Sequence, residues 1–255
     1  MFHKAFAIAG CLALMAAVAS SAQAQDKPKL DPQAARVLKK MSAYLGSVKS
    51  FSVTVRTSFD ILGKTGIKSL KIMEQKLTIR RPNAIHVRLR NEAGAKREVW
   101  FDGKTFAVLR VDQGVYDSIT PKGVATLDQL IAYIETNFGV TFPVSDFIRS
   151  DTEAMLTRDL ISGVYVGKRT LLDGTKTHYL SFESQDSDWQ LWVRAGKRPL
   201  PMRLVVSYVT VAERPGFIAT LRDWKINQPI AGGRFTASMP AGAKRKAFLK
   251  KKAGK

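Results

Sequence analysis

The chain has 255 residues, 41 Lys+Arg against 21 Asp+Glu, a formal charge of +20 and a single cysteine, Cys11. With no cysteine after position 11, the remainder can form no disulfide, thiolate metal site or cysteine nucleophile, and must be held by its own apolar core. The positive balance points to a polyanionic partner, either nucleic acid or an anionic membrane surface.

The first 24 residues read as a secretory signal. Lys4 precedes an apolar run from Phe6 to Val18, and Ala22-Gln23-Ala24 is a small-x-small cleavage site. The run falls short of the roughly 20 apolar residues that span a bilayer. Ile8-Ala9-Gly10-Cys11 has the look of an acylation box, but it sits close to Lys4 and the apolar run continues past it. Anchoring at Cys11 is therefore not expected, and a soluble periplasmic protein is. Export removes nucleic acid from the candidate partners and leaves lipid, lipopolysaccharide or acidic polymers. The expected division is a signal at 1–24, one domain at 25–243 and a basic disordered tail at 244–255 that holds Lys244, Arg245, Lys246, Lys250, Lys251, Lys252 and Lys255.

After a polar leader, Asp31 is a good helix N-cap and Pro32 suits the first helical position. Val37, Leu38, Met41, Tyr44 and Leu45 share one helical stripe, and Gly46 sits where a left-handed C-cap is wanted. From Ser50 the period becomes two. Phe51, Val53, Val55, Phe59 and Ile61 take one face of a strand, with polar residues on the other. A long strand follows from Ile67 to Arg80. Its phase slips between Leu70/Ile72 and Leu77/Ile79, which predicts a bulge near Met73–Lys76. Ile85, Val87 and Leu89 alternate with His86, Arg88 and Arg90. Asp102-Gly103 is a two-residue hairpin turn between strands at 97–101 and 104–111. Val115–Ile119 is a weaker strand.

A helical island then interrupts the sheet. Thr126 and Gln129 form a capping-box pair, Leu127, Leu130, Ile131, Ile134 and Phe138 form a stripe, and Gly139 stops it. One or two short helices follow between Pro143 and Arg158. Strands resume at 161–172 and 176–183, around Asp173-Gly174. The hairpin Asp188–Tyr208, a strand at 217–226 and a short segment near Phe235 complete the chain. Roughly ten strands, one N-terminal helix and a central helical insert predict an α+β fold. It is a single large, curved, antiparallel sheet, an unclosed barrel with its helices packed on the concave side.

Catalytic patterns are weak. His86 and His178 lack partners at metal-ligand spacing, no GxSxG elbow is present, and Gly163–Lys168 has the wrong spacing for a phosphate loop. No enzyme activity, metal or cofactor is expected. Arg88 and Arg90 point the same way as His86 and could receive phosphate or carboxylate groups, although a solvated row of charges that discourages edge pairing is the plainer use. Trp100 and Trp192 fall on nominally polar faces. They plug the two ends of the sheet or contact a ligand or partner, or else the curved sheet buries parts of both faces.

The order of motifs carries a resemblance. Arg80-Arg81-Pro82, the hairpin Trp100–Lys104, GxYVG at Gly163–Gly167 and DG-T-x-T-H-x-L-x-F at Asp173–Phe182 come first. DWQLW at Asp188–Trp192, RPLPMRLV at Arg198–Val205, Asp223-Trp224 and F-x(4)-P-x-G-A-K at Phe235–Lys244 follow. This resembles a family of predicted periplasmic proteins related in fold to the lipoprotein carriers LolA and LolB, over about Leu30 to Lys244. The resemblance implies an unclosed β-barrel around a helical lid, with an apolar cavity for acyl chains, and it carries over no site residue. The reading that follows is a monomeric periplasmic carrier or sensor of a lipid-like ligand. Phe51, Val55, Phe59, Leu204 and Val206 would line the cavity wall, and Leu130, Ile131 and Ile134 the lid. The alternative is a module that docks on anionic membrane or polymer through its basic surface and tail, with Trp100, Trp192, Arg88 and Arg90 as candidate contacts.

Overall fold

The computed structural model describes residues 28–63, 65–140 and 144–247. The signal segment with Cys11, Pro143 and the lysines from Lys250 lie outside the described residues.

Strand β1 (Lys29–Leu30) leads into helix α1 (Pro32–Ser47). The Asp31 carboxylate caps this helix by accepting from the Gln33 and Ala34 amides. Six strands follow, β2 (Ser50–Leu62), β3 (Lys68–Arg80), β4 (Ala84–Asn91), β5 (Lys96–Phe101), β6 (Phe106–Arg110) and β7 (Val115–Ile119). The insert contains α2 (Leu127–Phe138), a 3-10 turn at Ser145–Phe147 and α3 (Thr152–Thr157). Five more long strands come next, β8 (Leu160–Thr170), β9 (Lys176–Ser184), β10 (Ser187–Arg194), β11 (Pro201–Tyr208) and β12 (Gly216–Ile226). The described chain then ends through β13 (Lys244–Arg245).

All the strands belong to one sheet in the order β1-β8-β9-β10-β11-β12-β2-β3-β4-β5-β6-β7-β13. The edges β1 and β13 do not pair with each other, so the barrel is unclosed. The expected antiparallel sheet of roughly ten strands is thus a mixed sheet of thirteen among the described residues, because β1 pairs with β8 and β13 with β7 in parallel. Two-residue edge strands are too short to show a period, which hid them in the sequence. Lys244 and Arg245 belong to the sheet, not to a disordered tail.

Register builds the core. Phe51, Ile79, Ile85, Phe101 and Phe106 are successive partners across β2 to β6, and Leu221 to Phe217 continue the same face toward β11. On the other half, Ala219, Leu204, Leu191 and Leu180 form a matching row. The stripes of α1 (Val37, Leu38, Met41, Leu45) and α2 (Leu127, Leu130, Ile131, Ile134) pack onto this concave face as one continuous core. Each fully buried aliphatic side chain contributes about 1.5–3 kcal/mol, so the stripes have strong reason to fill the concavity. The turn between β3 and β4 holds the insert in place. Arg81 donates to the Ile148 and Arg149 carbonyls, and Leu127 N–H donates to the Pro82 carbonyl.

Two local expectations are corrected. The pairing of β2 with β3 runs from Ser50–Arg80 to Leu62–Lys68 with no bulge. The phase slip arises because the far end of this hairpin projects beyond the core, leaving Leu70 64% exposed. The register shifts lie instead in β8–β9, β10–β11 and β12–β2. Gly46 does not end α1 in a left-handed turn. The helix continues to Ser47 with an extended cap at Val48, and Gly46 allows close approach to the Ser150 carbonyl, 3.3 Å from where a Cβ would lie. The capping box at Thr126–Gln129 and the left-handed Gly139 form as expected.

Candidate functional site

The concave face is left partly uncovered where the insert meets β10 and β11. A cleft of about 300 Å³ opens there. Its apolar side comes from alternate residues of the hairpin, Trp189, Leu204, Val206 and Tyr208, together with Met155 and Leu156 of α3. Trp189 is fixed in orientation. Its ring stacks on Phe182 with centroids 3.9 Å apart, and its indole N–H donates to Ser184 Oγ at 3.0 Å. That arrangement leaves the ring edge to serve as a rigid wall.

The opposite rim is charged. Arg149 pairs with Glu135 at 2.8 Å, while Arg149 Nε is buried without a hydrogen-bond partner. Burial pushes the Asp146 carboxyl above its ordinary range, opposed by the nearby Arg149 and reinforced by Glu135. Arg158 contacts Asp159 at 3.2 Å and is largely exposed. Burial, with Asp186 nearby, also raises the Tyr208 phenol. An apolar floor beside charged groups of both signs suits a molecule with one apolar and one polar end.

The expected lining residues divide unevenly. Leu204 and Val206 border the cleft. Phe51, Val55, Leu130, Ile131 and Ile134 are core residues closed over by the helices, and Phe59 packs against them. The wall-and-lid picture is therefore corrected for those positions: α1 and α2 fill the concavity that an acyl chain was expected to occupy. The insert reaches the cleft through Glu135, Asp146, Arg149 and α3. The sequence offered no signal for these groups beyond short helices after Phe138, because their convergence depends on how the insert folds back.

The candidate surface contacts also separate. Trp100 is 3% exposed. It stacks on His86, with centroids 5.5 Å apart, under Ala237, Met239 and Ala243 of the C-terminal segment. That corrects its reading as a surface contact, since the sheet does bury part of its convex face. Trp192 stays half-buried in a ladder on that face, stacked on Tyr179 at 4.5 Å and overlaid by Arg203. Arg90 is neutralised by Glu74, which also binds Arg222; hydrogen bonding from Arg90 and both guanidinium charges hold the Glu74 carboxyl below its ordinary value. Arg88 has no ion pair among the described residues. His178 meets the Tyr165 hydroxyl at 3.0 Å.

Residues 34–249 match the model of the predicted periplasmic protein family DUF2092. The chain belongs to that family. Comparison with curated protein sequences gives no match. Among solved structures, the DUF2092 chain is similar to lipoprotein LppX of Mycobacterium tuberculosis, with 16% identity, a TM-score of 0.47 and coverage of 79% of this chain and 98% of that one. It is also similar to LprF of Mycobacterium bovis, at 14% identity and a TM-score of 0.46, covering 84% and 98%. A LolA superfamily protein from Nitrosomonas europaea aligns at 13% identity and a TM-score of 0.39, covering 80% and 97%. No helix among the described residues is long and apolar enough to cross a membrane.

Proposed function

We propose that this DUF2092 protein is an exported, non-enzymatic carrier or sensor for a lipid-like molecule, bound at the cleft between the insert and β10–β11. The observation that supports it is the joining of one apolar wall, Trp189, Leu204, Val206, Met155 and Leu156, to a rim of mixed charge, Arg149 and Arg158 with Glu135, Asp146, Asp159 and Asp186. The wall would take part of an acyl chain, at about 0.8 kcal/mol for each buried methylene, and the rim, where both arginines are already paired with carboxylates, a polar end that hydrogen-bonds to groups of either sign. At about 300 Å³ the cleft would hold only part of a long chain, and the rest would remain outside or contact a partner.

The test is native mass spectrometry of protein purified from the periplasm, with a fluorescent fatty acid titrated into delipidated samples. Val206→Asp places a carboxylate on the apolar wall at a half-buried position. It should abolish copurifying lipid and weaken the titration at least about tenfold, since an unpaired charge opposes burial. An intact protein that neither retains lipid nor binds the fatty acid, or a Val206→Asp variant that binds as well as the parent, overturns the proposal.

A further inference from the structure

The convex face carries a second groove of different construction. Lys76, Arg88, Lys225 and Arg234 surround about 240 Å³, with Ser52 and Thr78 between them. Register explains why they meet. Thr54, Lys76 and Arg88 lie in one cross-strand row, Ser52, Thr78 and His86 in the next, and Lys225 flanks Ser52. The loop at 228–231 walls one side and delivers Arg234 through the following 3-10 turn.

This grouping is unfavourable by itself. Lys76 and Arg88 are direct cross-strand partners, and like charges so placed repel. Their neighbours show the ordinary remedy, because Glu74 opposes Arg90 and pairs with it at 2.7 Å. None of Lys76, Arg88, Lys225 and Arg234 has a carboxylate within ion-pair distance among the described residues. Glu98, the partner of Arg88 across β5, lies 3.7 Å from His86 Nε2. Protection of a sheet edge does not account for the charges, since β3 and β4 are interior strands. Four cations converging from β3, β4, β12 and a 3-10 turn, with two hydroxyls beneath, match a tetrahedral phosphate group better than a planar carboxylate.

We propose that this groove binds a phosphate group, as a free phosphate or phosphate ester or as an anionic lipid headgroup. It lies on the opposite face of the sheet from the amphiphile cleft and does not depend on that reading. Isothermal titration of the mature protein with inorganic phosphate, and flotation with phosphatidylcholine vesicles with and without phosphatidylglycerol, separate the two sources. Arg88→Gln and Lys225→Gln remove exposed cations and should leave folding intact, as circular dichroism would show. Each should weaken phosphate or phosphatidylglycerol binding about tenfold or more, while Lys104→Gln, which removes one charge elsewhere, and Val206→Asp should change it less than about twofold. Binding in either arm with that pattern supports the site and assigns its source. No binding in both arms, or an equal loss with Lys104→Gln, overturns it.

Discussion

Gly163→Ala tests how tightly the cleft wall is built. A Cβ at this position would lie 2.5 Å from Cδ1 and 2.8 Å from Cε1 of Phe182, and 2.7 Å from Cδ1 of Leu30. Carbon contacts are comfortable at about 3.5–4.0 Å, so each neighbour must retreat by about 1 Å. Leu30 belongs to a two-residue edge strand and can give way. Phe182 is 3% exposed and is stacked on Trp189 across its other face, so its retreat displaces the cleft wall. Overpacking of this kind costs about 1–3 kcal/mol. Urea unfolding followed by tryptophan fluorescence measures the loss, and fatty-acid titration should show weaker binding from the shifted Trp189. Phe182→Leu relieves the clash, so Gly163→Ala should cost at least about 1 kcal/mol less in that background than in the parent. A loss below about 0.5 kcal/mol, or an equal loss in both backgrounds, would refute the steric reasoning.

Stability should also respond to pH through His86. Burial lowers its pKa from 6.5, with Arg234 and Arg88 acting in the same direction and Glu98 against them. A depressed folded-state pKa means that this contribution is complete above about 6.5 and is lost as pH falls through the folded value. Urea midpoints at pH 7.5 and pH 5 should differ, and His86→Gln should flatten the difference; an unchanged slope would show that other groups govern it. Trp100→Ala should cost about 3–5 kcal/mol because the C-terminal segment covers the ring, whereas Trp192→Ala should cost no more than about half of that. Equal midpoints for the two variants would contradict the burial of the convex face.

Much of the half-barrel can be read from local chemistry. Asp31, Thr126 and Gln129 announce two helix starts because capping depends on atoms only two or three residues away. The period-two runs of β2, β4 and β10 show because one face of each meets the core. Where that condition fails, the pattern misleads. Leu70 and Ile72 lie beyond the core and imitate a bulge, while Trp100 and His86 sit on a face that only becomes interior when residues 237–243 return across it.

The candidate sites divide along the same line. Periodicity places Leu204 and Val206 on the inner face, and DWQLW places Trp189 beside them. It also marks His86, Arg88 and Arg90 as residues of one face. By itself the sequence determined the chain's charge, its absence of later cysteines, its capped helices and the side of each strand that is apolar, since all of these follow from residue identity and near neighbours. Tertiary structure alone decided that α1 and α2 fill the concavity, that Arg149 and Asp146 face Trp189, and that Arg90 finds Glu74 while Arg88 faces Lys76. The reason is that strand register and the return of the insert and the C-terminal segment bring together residues far apart in the chain, and those pairings are set by the packing of the whole sheet.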